Sequence, residues 1–208
     1  MGSAIALGLE EAGWSVVAAG RAEGDVSQPE AARALVAQAI SDLGGLDLLV
    51  NGASEGFAPK SVLELTEADW DLAFGATAKG SFFVTQAAAP HLRASRGCVV
   101  MIEDVAAYQP WPSFAAHCAA KAAQAMLTRV LARALAPDVR VCGLAPGPVA
   151  VEPGQEERRA AETLLGRVGT PDDVAAAVVY LAGASFVTGT TLVVDGGRLV
   201  QSTTPSKP

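Results

Sequence analysis

The chain has 208 residues, half of them hydrophobic and 18% charged, with a formal net charge of −7 and a pI near 4.8. That length suits one domain with a substantial core, and the acidity argues against nucleic acid or an anionic membrane as a partner. No apolar run reaches a bilayer span and no signal-peptide pattern opens the chain.

Short β-branched runs alternate with Ala-rich stretches along the chain, the pattern of parallel βαβ units. In chain order the reading is helix 3–12, strand 15–19, helix 29–43, strand 46–51, helix 67–95, strand 97–102, helix 113–135, strand 139–144, helix 171–182 and strand 191–194. Thr66 before Glu67 and Asp69, and Thr170 before Pro171, Asp172 and Asp173, are helix-start signals. The fold class is therefore α/β: a doubly wound, Rossmann-type parallel sheet in a single domain over 1–200, followed by a polar tail over 201–208. Cys98, Cys118 and Cys142 stand alone in apolar settings without metal-ligand spacing, which reads as free thiols in a reducing cytoplasm and no metal site.

Three strand ends carry turn or polar residues: Asn51, Asp104, and the pair Pro146-Gly147. In an open parallel sheet, ligands bind at the carboxyl ends of the strands, so these residues define a rim with a site. Beyond Asp104 the segment Ser-Phe-Ala-Ala-His-Cys-Ala-Ala-Lys-Ala places His117 and Lys121 four residues apart, one turn apart on the same helix face. An imidazole beside an ammonium, with a carboxylate nearby, is an acid/base arrangement.

The segment around His117 and Lys121 resembles the active site of the short-chain dehydrogenases/reductases, with His117 in the slot of that family's Tyr. Leu-Asp-Leu-Leu-Val-Asn-Gly-Ala-Ser (46–54) resembles its strand-four segment, Leu-Ala-Pro-Gly-Pro-Val (144–149) its Pro-Gly turn, and residues 166–197 its C-terminal region. Asp104 occupies the slot of the family Ser, thirteen residues before His117, and Thr77 that of its water-holding Asn. Asp at that slot and Ser54 are similar to the pteridine-reductase branch, as is the opening Met1–Leu7 stretch. The resemblance implies an oxidoreductase that reduces a carbonyl or ring imine with NADP rather than NAD, acts on a small molecule and assembles as a homodimer or homotetramer. Cofactor contacts carried over are Gly2 at the end of the glycine-rich turn, Arg21 toward a 2′-phosphate, Asp25 and Val26 toward adenine, then Asn51, Gly52, Ala53, Lys121, Pro146 and Gly147. The chain opens at that last glycine, and Arg21 is followed almost at once by Asp25-Val26, so the expected sheet lacks the family's first strand and most of its third. Either a longer reading frame supplies the first strand, or 15–19 pairs directly with 46–51.

Each candidate also has a plainer reading. His117 relays a proton, or is a lost catalytic position filled by a polar residue. Asp104 orients His117 or substrate, or caps its own loop. Thr77 holds a water, or bonds its own preceding turn. Arg21 reads a phosphate, or is a surface charge. Tyr108, Trp111 and Phe114 stack a flat substrate, or are core. His91 has no assigned role. Two further functions stay open: a non-catalytic member that binds or assembles, and redox-neutral acid/base chemistry by Asp104 and His117. Ala87, Ala88, Ala122 and Ala123 mark the helices expected to pair between subunits.

Overall fold

The computed structural model describes residues 1–201, so the expectation for the tail lies almost wholly outside the described residues. Four parallel strands, β1 (Leu48–Asn51), β2 (Cys98–Ile102), β3 (Arg140–Pro146) and β4 (Thr191–Val194), form one sheet in the order β1-β2-β3-β4. Leu48 faces Cys98, Cys98 faces Arg140, and Gly143 faces Thr191, so all four carboxyl ends reach the same rim.

Strand alternation splits the core into two layers. Val99, Met101 and Val141 point to the face covered by α2 (Pro29–Leu43), α4 (Ser81–Ser95) and α5 (Ala115–Leu135), where they meet Val36, Leu92 and Leu131. Cys98, Val100, Ile102, Cys142 and Leu144 point to the other face, against α1 (Gly2–Glu11) and α7 (Pro171–Gly183). Helices on both faces of a parallel sheet make the doubly wound α/β architecture expected from the sequence. The two predicted caps close as reciprocal capping boxes, Thr66 with Asp69 at α3 (Glu67–Phe74) and Thr170 with Asp173 at α7. A short α6 (Glu156–Ala160) lies between β3 and α7. The three cysteines are free, with Cys98 and Cys142 buried.

Three expectations need correction. Residues 15–19 are not a strand and do not pair with β1. Val16 packs onto the α1/α7 layer, but the segment carries no ladder, and a cleft of about 1350 Å³ runs between it and β1. Its β-branched composition has no neighbour to pair with, and strand identity is conferred by the partner as much as by the sequence. The expected helix 67–95 is not one α-helix. It is α3, a π-helical turn over Gly75–Gly80, then α4. Gly80 is needed there, since a Cβ would come within 2.9 Å of Val26 Cγ2. Ala88 cannot meet another subunit, because it is fully buried against this chain's own sheet.

Candidate active site

β2 delivers the site. Its last residue, Ile102, is followed by Glu103 and Asp104, the latter with extended backbone (φ −163°, ψ 150°) and capping the 3₁₀ turn Val105–Ala107: Asp104 Oδ1 accepts from Ala106 N–H at 2.8 Å. The loop-capping reading of Asp104 and the orienting one coexist. Its other oxygen, Oδ2, lies 3.4 Å from His117 Nε2. His117 stands in the first turn of α5 and is only 4% exposed, while its Nδ1 is buried with no partner. An Nε2–H held toward the carboxylate leaves Nδ1 as the nitrogen free to exchange a proton.

Lys121, one turn on, is 3% exposed. Its ammonium donates to the Ile102 carbonyl at 2.8 Å and to Gln124 Oε1 at 3.1 Å. Burial pushes its pKa down from 10.5 to about 8, against the opposing pull of Asp104 and Glu103. Gln124, fully buried, passes the connection on: Nε2 donates to Ser81 Oγ at 2.8 Å, and Ser81 Oγ donates to the Thr77 carbonyl at 2.6 Å. Thr77 sits in the π-helical turn, and its hydroxyl meets Ser54 Oγ at 3.2 Å rather than its own preceding turn. Lys121 is therefore joined by an unbroken buried chain of hydrogen bonds to the backbone carbonyl of Thr77.

Glu103 was not expected. Its carboxylate accepts from Thr128 Oγ1 (2.6 Å), Tyr108 OH (2.9 Å) and Thr191 Oγ1 (3.0 Å), so Tyr108 belongs to a polar cluster. Room for that carboxylate comes from Gly143, where a Cβ would overlap it. A charged residue at the end of an apolar strand was the available signal for Glu103, and the i+3 spacing from Lys121 for Gln124. Phe57, in the irregular segment between β1 and α3, carried none, yet its ring lies edge-on to His117 with centroids 4.8 Å apart.

The cleft beside β1 gathers most of the residues expected to touch a cofactor: Gly2, Arg21, Asp25, Val26, Asn51, Gly52 and Ala53. The N-terminal end of α1 opens into it without a side-chain cap, leaving N–H donors and the positive end of the helix dipole for a phosphate. Arg21 spans the cleft to Glu55 at 2.7 Å, and Ser27 lowers the pKa of Asp25 by bonding its carboxylate. Asn51 turns its side-chain NH2 inward, onto Thr85 Oγ1 at 2.9 Å. The half-buried Val26 likewise turns its side chain to the core. Pro146 ends β3 and Gly147 follows it at the same rim. Gly147 N–H bonds the Val194 carbonyl at 2.9 Å, and a Cβ there would strike the Asp195 backbone. His91 joins none of this. Among the described residues no cluster of His, Cys, Asp or Glu is arranged to hold a metal, and no helix is long and apolar enough to cross a membrane.

Comparison with known proteins agrees with this geometry. A family model described as enoyl-(acyl carrier protein) reductase matches residues 9–198. The chain is similar to 3beta-hydroxysteroid dehydrogenase 1 of Eggerthella lenta, 39% identical over 202 residues, which cover 91% of this chain and 76% of that protein. Among solved structures, an apo SCOR enzyme from Clostridium thermocellum superposes with a TM-score of 0.81 at 31% identity, covering 88% of this chain and 74% of that one. A structure of ElxO with NADP bound has a TM-score of 0.79 at 25% identity, covering 85% and 77%.

Proposed function

The chain belongs to the short-chain dehydrogenase/reductase family of nicotinamide-dependent oxidoreductases, and from that premise we propose that it reduces a carbonyl or ring imine with NADPH, His117 donating the proton. The observation that carries this reading is the pairing of buried His117 with half-buried Asp104, the free Nδ1 of His117 one turn from the buried ammonium of Lys121.

The cofactor's part is to supply hydride. Its phosphates fit the open end of α1, and Arg21 fits a 2′-phosphate, which favours NADP over NAD. Lys121, Pro146 and Gly147 would hold the nicotinamide half.

His117 then acts through Nδ1. Protonated, it donates to the substrate oxygen as the adjacent carbon takes up hydride, and the carbonyl becomes an alcohol. Asp104 holds Nε2–H, fixes the ring and stabilises the imidazolium between turnovers. Lys121 sets a fixed positive charge beside an oxygen that gains negative charge, in a setting where burial magnifies the attraction. Gln124, Ser81 and the Thr77 carbonyl hold that ammonium in place. Imidazole reaches less far from the backbone than phenol, so the reacting oxygen sits deeper than a Tyr would require.

The test is NADPH oxidation by the purified chain with a panel of ketones, aldehydes and cyclic imines. NADPH should outperform NADH, Arg21→Glu should abolish that preference, and His117→Ala should lose at least 100-fold in turnover, about what a positioned acid supplies. His117→Tyr should retain or raise activity. NADPH binding with no turnover of any member of the panel would overturn the reading in favour of a non-catalytic subunit. His117→Tyr activity well below the parent would favour redox-neutral chemistry.

A further inference from the structure

We propose that Phe114, Trp111 and His117 form a subsite for a planar aromatic ring of the substrate, and that the ring of Phe57 fills this subsite until the substrate displaces it.

Phe57 lies stacked on Phe114, centroids 4.6 Å apart and planes 17° from parallel, and meets His117 edge-on at 4.8 Å. Trp111 closes a third side, edge-on to both Phe57 (6.4 Å) and Phe114 (6.1 Å). This is how one aromatic ring sits in a slot made for another.

The walls are built and Phe57 is not. Trp111 is the N-cap of the 3₁₀ turn Pro112–Phe114, its carbonyl accepts from Phe114 N–H at 2.9 Å, and Phe114 leads directly into α5. Arg198 backs the indole at 5.0 Å and is itself tied to Glu162 at 3.0 Å. Phe57 belongs to residues 52–61, which form no helix or strand, and its side chain is 58% exposed. A ring so exposed adds little to the core, and its contacts here are ones a ligand ring reproduces.

The second observation is the unpartnered Nδ1 of His117. Buried polar atoms are satisfied in the great majority of cases, and an exception asks for a cause. The Phe57 and His117 centroids are 4.8 Å apart, so an oxygen on the first carbon attached to a ring in the place of Phe57 can come within hydrogen-bonding range of the imidazole. The substrate class is thus an aryl ketone or aryl aldehyde, or the matching alcohol in reverse. This assignment rests on the oxidoreductase reading only for the identity of the reacting oxygen. Ring binding stands apart from it.

The experiment compares acetophenone with cyclohexyl methyl ketone, nearly equal in size but differing in planarity, by ligand-observed NMR with the 208-residue chain and no cofactor. The parent should bind acetophenone about two- to tenfold more tightly, the range one stacking contact supplies. Phe57→Ala removes the competing ring and should widen that preference, while Phe114→Leu should erase it. Phe57 is exposed enough that its variant will fold. If circular dichroism shows Phe114→Leu unfolded, the Phe57→Ala arm decides alone. Equal binding of the two ketones by both parent and Phe57→Ala, or no binding of either at millimolar concentration, overturns the subsite. NADPH oxidation separates the two readings. An aryl preference in binding without turnover leaves the subsite and removes the reductase, whereas equal turnover of both ketones without preference does the reverse.

Discussion

Lys121→Met should make this protein more stable at neutral pH while removing its activity. The lysine is 3% exposed, and burial lowers its pKa from 10.5 to about 8. For a basic group, a folded pKa beneath the unfolded one means that charging favours the unfolded chain. The destabilisation is complete below pH 8 and gone above pH 10.5. The two and a half units correspond to about 3 kcal/mol at pH 7. Met has a similar stem and fills the same channel. Against the gain stands the loss of a donor to the Ile102 carbonyl and to Gln124 Oε1, a cost of about 1–2 kcal/mol. The variant should therefore gain about 1–2 kcal/mol at pH 7.

Urea unfolding of parent and variant at pH 7, 8.5 and 10 measures this by linear extrapolation. Other groups titrate over that range, but they are common to both proteins and cancel in the difference. The variant's advantage should shrink by about 2–3 kcal/mol between pH 7 and pH 10 and vanish or reverse at the upper end. A difference in stability independent of pH would refute the claim that Lys121 is a charge held out of water for the sake of the reaction.

Gln124→Leu should leave the Lys121 ammonium with one acceptor. The basic limb of the pH–rate profile should move down by about one unit, equivalent to one lost charged hydrogen bond, and Gln124→Glu should move it up; a profile unchanged in both would make Gln124 merely structural. Gly143→Ala should cost about 2–4 kcal/mol in urea unfolding, since the added methyl overlaps the Glu103 carboxylate and lies 2.6 Å from Thr191 Oγ1; a loss under 1 kcal/mol would show that the Glu103 cluster adapts freely. On the outer face of α5, Met126 (54% exposed) and Val130 (51%) form an apolar patch beside Ala122 and Ala123. Charging it as Met126→Glu with Val130→Glu should halve the particle mass by light scattering, and a parent that is monomeric at micromolar concentration would remove this interface.

The sheet was legible because β2 and β3 are covered on both faces, and such strands must read as unbroken apolar runs wherever they stand. The segment 15–19 carries the same apolar, β-branched composition, yet it forms no strand, because the partner that would confirm it lies across a cleft and nothing local records that distance. The π-helical turn at Gly75–Gly80 was equally hidden: one extra residue per turn shifts the apolar period too little to notice over six residues, although it redirects Thr77 toward Ser54. The sequence pairs His117 with Lys121 and sets Asp104 beside them, while Thr77 stands alone. What the sequence hides is the buried link from Lys121 through Gln124 and Ser81 to the Thr77 carbonyl, and the separate cluster around Glu103, residues whose meaning comes from having no access to water. Buried hydrogen-bonding atoms are matched in the great majority of cases, so the neighbours of Lys121 at the end of β2 are constrained to satisfy one another, and the unmatched Nδ1 of His117 is the exception. Burial therefore does two things to this lysine. It limits which residues can stand beside it, and it lowers the pKa to about 8 while leaving the ammonium mostly charged at pH 7, so that a change in Gln124 should move that pKa.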